Sequence, residues 1–138
     1  MSRHAKVQYI CPSVNVRRTV RWIYESWRLA LEKVGRKDST WMASSLRSDT
    51  QRVEKLSLAG TICLWVEELG VEEAVKVWEA LLKRVPTSEF LKKGYRNLNP
   101  PNLAWLFSYS SNGRGHDRVL EGVYDNWHGA RYYSEEGV

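Results

Sequence analysis

Val16-Arg17-Arg18-Thr19-Val20-Arg21-Trp22-Ile23-Tyr24-Glu25-Ser26-Trp27-Arg28-Leu29-Ala30-Leu31-Glu32-Lys33-Val34 is the stretch whose reading decides the fold. Val20, Ile23, Tyr24, Trp27, Leu31 and Val34 recur at i, i+3, i+4, i+7, i+11 and i+14, which is one stripe of an α-helix. Asn15 or Ser13 can cap its start, and Gly35 stands where a helix ends in a left-handed turn. The spacing predicts a helix over 16–34. Arg17, Arg18, Arg21 and Arg28 fall largely off the apolar stripe and are expected in water. Trp22 is off it too, beside Ser26 and Leu29, on the arginine-bearing side.

Upstream, residues 1–15 hold no sustained period, and Cys11-Pro12-Ser13 interrupts any element. A basic, mobile arm is expected there, with a short extended piece at Val7–Ile10. Downstream, Trp41, Met42 and Leu46 suggest a short helix to about Arg47, and Ser48-Asp49-Thr50 offers a fresh cap. Gln51 to Leu69 reads as helix, with Val53, Leu56, Ile62, Trp65 and Leu69 inward and Gly60 mid-run. Gly70 ends it, and Glu72 and Glu73 suit the positive end of the next helix. Ala74, Val75, Trp78, Leu81, Leu82 and Val85 form that helix's apolar face, and Pro86 closes it.

Thr87-Ser88-Glu89 starts a helical turn through Phe90 and Leu91. Asn99-Pro100-Pro101 is a similar signal, with Asn99 as cap and Leu103, Leu106 and Phe107 packing behind it. Ser110–Gly115 reads as a polar loop, and His116–Glu121 as one last helical turn. No run alternates as a strand, and no repeat is present. The expected fold is all-α, a single-domain bundle of four or five helices over residues 16–127, followed by a tail over 128–138. Its expected core is Ile23, Trp27, Leu31, Leu56, Ile62, Trp65, Leu69, Trp78, Leu82, Phe90, Leu103, Leu106 and Phe107. The C-terminal segment is expected to wrap over the bundle, anchored by Trp105 and Tyr124.

Composition narrows the function. The chain has 138 residues, 43% hydrophobic and 27% charged, which suits one soluble globular domain. No apolar run approaches the roughly 18 residues of a membrane helix, and no signal-peptide stretch follows Met1. Two cysteines, Cys11 and Cys63, form no disulfide framework and lack metal-ligand spacing, so an intracellular setting is expected. His4, His116 and His128 have no i, i+4 partners for zinc. Asn112-Gly113-Arg114-Gly115 could offer backbone amides to phosphate, but it follows no strand and opens no long helix; a surface turn is the plainer reading. No nucleophile, metal cluster or phosphate cradle stands out, so a non-enzyme without cofactor or metal is expected.

Charge carries the strongest functional signal. The net charge is +5, and residues 1–36 hold eight Lys/Arg against two acids. Arginines on a helix neutralise phosphates and pair carboxylates, so Arg17, Arg18, Arg21 and Arg28, with Trp22 beside them, are the candidate contacts for DNA or an acidic protein. An ordinary solvated helix face is the alternative.

Leu98-Asn99-Pro100-Pro101-Asn102-Leu103-Ala104-Trp105-Leu106-Phe107, a spacer, and Arg118-Val119-Leu120-Glu121-Gly122-Val123-Tyr124-Asp125-Asn126-Trp127 make a further pattern. It resembles the closing segment of phage replication-initiation proteins, where Asn/Asp-x-x-Trp-Leu-Phe precedes x-Val-Leu-Glu-Gly-x-Tyr-Asp-Asn. Ile23-Tyr24-Glu25-Ser26-Trp27 resembles the opening helix of that module. Leu69-Gly70-Val71-Glu72-Glu73-Ala74 and Thr87-Ser88-Glu89-Phe90-Leu91 resemble its link and the phrase beyond. The resemblance spans about residues 20–127 and is specific at 98–127. It implies a helical replisome-organiser module that binds DNA, single- or double-stranded, and recruits a host replication protein such as the helicase, in the cytoplasm of a bacterial host. The winged helix that precedes the module in those proteins has no counterpart here, and Ser39–Leu46 replaces the usual basic run. Origin recognition is therefore not implied. A small phage-encoded inhibitor or adaptor of a host protein or nucleoprotein complex is the alternative.

Overall fold

Ser13 opens the first helix as its side chain allows. Its Oγ accepts from the N–H groups of Asn15 at 3.1 Å and Val16 at 3.3 Å, and helix α1 runs Val14–Lys33. Gly35, at φ +74°, ends it. The Gly35 N–H donates to the Glu32 carbonyl and the Arg36 N–H to the Leu31 carbonyl, the paired bonds of a Schellman turn. The computed structural model describes residues 8–11, 13–38, 40–42, 46, 52–54, 57–94, 100–110 and 113–124.

The fold is all-α, with six helices among the described residues and two short ladders beside them. It divides into two compact units: unit 1 is Met1–Ser26 with Thr40–Glu79, and unit 2 is Trp27–Ser39 with Ala80–Val138. None of the described helices is long and apolar enough to cross a membrane.

In unit 1, strand β1 (Gln8–Ile10) pairs antiparallel with β2 (Arg52–Glu54), Tyr9 opposite Val53. This corrects the helix expected from Gln51: helix α2 spans Leu58–Leu69, capped by Ser57, whose Oγ accepts from the Gly60 N–H at 3.1 Å. Three residues are too few to display a period, and β1 needs a partner for its backbone groups. The extended piece expected near Val7–Ile10 is thus a paired strand rather than part of a mobile arm. Gly70, at φ +92°, turns the chain into α3 (Val71–Arg84). Val20, Ile23, Ile62, Trp65, Val66 and Trp78 are buried in this unit with Cys11, Cys63 and Leu46. The Trp78 indole N–H, buried with its ring, donates to Ser26 Oγ at 3.0 Å. Leu69, expected inward, is 37% exposed because it is the last residue of α2. Trp41 and Met42 are not helical, and Trp41 is 78% exposed. The expected cap at Ser48–Thr50 and the core position Leu56 lie outside the described residues.

Unit 2 is built from the ends of α1 and α3 and from small pieces: α4 (Glu89–Lys93), α5 (Leu103–Phe107), β3 (Tyr109–Ser110), β4 (Gly113–Arg114) and α6 (Gly115–Leu120). Ser88 caps α4 as expected, its Oγ accepting from the Leu91 N–H at 3.1 Å. Helix α5 is capped by Asn102, which accepts from the Trp105 N–H at 2.8 Å; Asn99, the expected cap, lies outside the described residues. Tyr109 pairs with Arg114 and Ser110 with Gly113, so the expected polar loop holds an antiparallel hairpin. Trp27, Leu31, Leu81, Phe90, Leu103, Leu106 and Phe107 are buried, whereas Leu82 is only half-buried. Tyr124 stacks on Phe90 with centroids 4.1 Å apart, and Trp105 meets both rings edge-on, so the two expected aromatic anchors sit together. Gly115 is required by close approach: a Cβ there would stand 2.7 Å from Trp105 Cε3.

Candidate functional site

The five side chains singled out on α1 go to different places. Arg17 is expected in water but is 4% exposed, and its Nη1 donates to the Cys11 carbonyl at 3.2 Å. Its position borders Val16, Val20 and Tyr24, which carries the stem inward, and the irregular segment at Cys11 supplies a carbonyl for the guanidinium. Half-buried Arg21 donates Nη1 to the Leu46 carbonyl at 3.3 Å. Arg28 belongs to unit 2, where it pairs with Glu32 at 2.8 Å across one helical turn.

Arg18 and Trp22 are brought together. With Asn15 and Thr19 they form one wall of a groove of about 410 Å³, and Val71, Val75 and Glu79 form the other. The Thr19 hydroxyl donates to the Asn15 carbonyl at 2.7 Å, which leaves that wall's outward polarity to Asn15 and Arg18. The α3 residues sit at i, i+4 and i+8, so the wall spans two turns, about 12 Å. Arg18 and Glu79 are exposed, while Trp22, Val71 and Val75 are half-buried. The groove therefore offers an aromatic face, two branched apolar side chains and one charge of each sign. Sequence reasoning missed Val71 and Glu79; the i, i+4, i+8 spacing through Val75 was the available signal.

Acidic side chains crowd the same unit. Glu68, Glu72 and Glu73 are exposed around the α2–α3 corner. Burial, and then the neighbouring Glu68, raise the pKa of Glu67. Carboxylates here would repel a phosphate backbone and attract basic side chains.

The buried chemistry of both units is quiet. Burial, and then the adjacent Cys11, push the Cys63 thiol far above its ordinary pKa, which keeps it protonated and poorly nucleophilic. In unit 2 the His116 ring is fully buried, with Nδ1–H donating to the Leu106 carbonyl at 3.0 Å; burial lowers its pKa. The Arg114 N–H, one amide of the possible phosphate cradle, donates instead to Asp117 Oδ2 at 3.0 Å. Among the described residues, no group of three or more His, Cys, Asp or Glu is placed to hold a metal ion. Comparison of the chain with protein-family models, with curated proteins and with solved structures finds no match.

Proposed function

We propose that this chain is a non-catalytic replication module of phage or prophage type that binds a host replication protein, such as the helicase, in the groove between α1 and α3. One observation carries the reading: Arg18 and Trp22 face Val71, Val75 and Glu79 across two helical turns. A partner helix with an apolar stripe and a charge of each sign at its edges fits that lining. The mixed charge suits a protein better than a nucleic-acid backbone, and Arg17 and Arg21 already serve backbone carbonyls.

The test is isothermal titration of the full chain into a purified bacterial replicative helicase. Aromatic anchors at interfaces commonly carry about 2 kcal/mol or more, so Trp22→Ala should weaken binding at least ~10-fold at unchanged Tm. Equal affinity of the variant and the parent removes the groove as the site.

The exposed carboxylates at the α2–α3 corner favour a second reading, an inhibitor or adaptor that offers negative charge to the basic surface of a host nucleoprotein complex. In that case Glu72→Lys with Glu73→Lys abolishes binding, and Trp22→Ala leaves it intact.

A further inference from the structure

Sorted by position along the chain, the positive excess lies in residues 1–36. Sorted by compact unit, it moves: unit 2 holds twelve Lys/Arg against eight Asp/Glu, and unit 1 holds nine against eight. The cationic unit also displays an aromatic ring. Tyr109, at the start of the β3–β4 hairpin, is 76% exposed. Arg114, its partner across the hairpin, places its guanidinium 5.1 Å from the ring centroid. That guanidinium is itself held, because Nη1 donates to the Phe107 carbonyl at 2.7 Å.

A second pair stands next to the first. Arg118 donates Nη1 to the Gly113 carbonyl at 3.1 Å and lies 5.1 Å from the Trp105 ring centroid. Two guanidinium–aromatic pairs thus meet at Gly113, whose φ of +94° makes the tight hairpin possible. Asp117 accepts the Arg114 N–H through Oδ2 at 3.0 Å. A guanidinium against one face of a ring fixes its orientation and leaves the other face to a planar ligand.

We propose that the β3–β4 hairpin is a stacking site for single-stranded nucleic acid, with a base on Tyr109 and the adjoining phosphates met by Arg114 and Arg118. An aromatic face beside fixed cations is the combination that sequence-tolerant single-strand binding uses. A duplex keeps its bases stacked on one another and offers no free face. This site is in unit 2, independent of the groove in unit 1, and each can fail without the other.

The experiment is fluorescence anisotropy of labelled oligo(dT) and oligo(U), about 15 nucleotides long, with the full chain at about 50 and 200 mM salt. The expected salt dependence is shallow, with a log–log slope of about −1.4 for two phosphate contacts. Tyr109→Ala should weaken binding about 10-fold or more, and Tyr109→Phe should keep it within about 2-fold, because the ring does the stacking. Tyr109 is at the surface, so the variants should share the parent's Tm. Arg18→Glu, in the other unit, should leave binding unchanged, and a duplex of the same sequence should bind more weakly. DNA and RNA arms that both bind place recognition in base and phosphate; one that binds alone names the acid. The proposal is overturned if neither oligonucleotide binds at the lower salt. It is also overturned if Tyr109→Ala binds like the parent, or if Tyr109→Phe loses as much as Tyr109→Ala. Binding lost through Arg18→Glu instead would return the contact to α1.

Discussion

In unit 1, α2 and the first turns of α3 bring long apolar faces to the core, and Trp78 is enclosed among them. In unit 2, the helices that begin and end within it have five or six residues, too short to persist by propensity alone. Side chains hold them. Asp38 Oδ2 accepts from the Trp27 indole at 2.6 Å and from the Leu103 N–H at 2.8 Å. Arg36 reaches the carbonyls of Leu91 at 2.6 Å and Pro101 at 2.5 Å, and Arg84 reaches those of Val119 and Leu120. The difference explains much of the arginine content. The last carbonyls of a short helix have no intrahelical donor, and Pro101 lies outside any helix; a guanidinium supplies several donors at once. Arg17 and Arg21 likewise donate to the carbonyls of Cys11 and Leu46 in unit 1.

The largest expected effect tests the apolar side of this comparison. Trp78→Ala leaves a buried cavity and removes the indole's hydrogen bond to Ser26, and should cost about 3–5 kcal/mol in denaturant unfolding. A loss below about 1 kcal/mol would mean that the helix faces of unit 1 do not hold it. Next is the polar side. Asp38→Ala leaves two donors without their carboxylate and should cost about 2–4 kcal/mol, given roughly 1–3 for each half-buried group left unsatisfied. Hydrogen exchange sharpens the contrast: Asp38→Ala should speed exchange across Leu103–Phe107 before Leu58–Leu69. Equal acceleration in both would erase the distinction between the units.

The same contrast decides what was legible in the sequence. Helices α1 and α3 are long enough to show a period, and their ends carry Ser13, Gly35 and Val85-Pro86, so their extents follow from the residues. The Ser88 cap is local enough to be read as well; Trp105 and Tyr124 could be named as anchors, but not their meeting around Phe90. The β1–β2 ladder is not, because three residues hold no period and their pairing depends on a segment over forty residues away. The aim of Arg17 is not legible either. It depends on the Cys11 carbonyl lying beside the helix, a placement set only once the chain is folded. Of the candidate site, Arg18 and Trp22 could be found on α1, but their separation from Arg17, Arg21 and Arg28 could not. All four arginines lie largely off the apolar stripe, and only packing says which stem crosses into it.

A smaller effect is set by pH. Burial holds the His116 pKa below its ordinary 6.5, while Asp117 and the Leu106 carbonyl act against that shift. The unfolded chain then binds a proton before the folded one does. The His116 contribution is complete above about pH 6.5 and is lost as pH falls from there through the folded pKa, at no more than about 1.4 kcal/mol per pH unit. Thermal unfolding between pH 7.5 and 5 should show this decline, and His116→Phe should flatten it. A parent whose Tm rises on acidification would show that the ring is charged in the folded state.

The smallest effect completes the comparison of arginines. Arg28 and Glu32 are paired at 2.8 Å, but their side chains are more than half exposed, at 58% and 54%. Water already solvates both charges, and two long side chains lose rotamer freedom to meet, so the pair should contribute no more than about 0.5 kcal/mol. Arg28→Ala should therefore change stability within that range, and the small difference should shrink further with added salt. The chemistry of the guanidinium is the same as in Arg36, whose pKa is lowered by burial and partly held up by Asp38. What differs is the alternative open to the partner group: Glu32 can turn to water, whereas the carbonyls of Leu91 and Pro101 are held in place by the segments that carry them. A cost at Arg28 as large as that of Asp38→Ala would show that exposure does not separate the structural arginines of this chain from its surface ones.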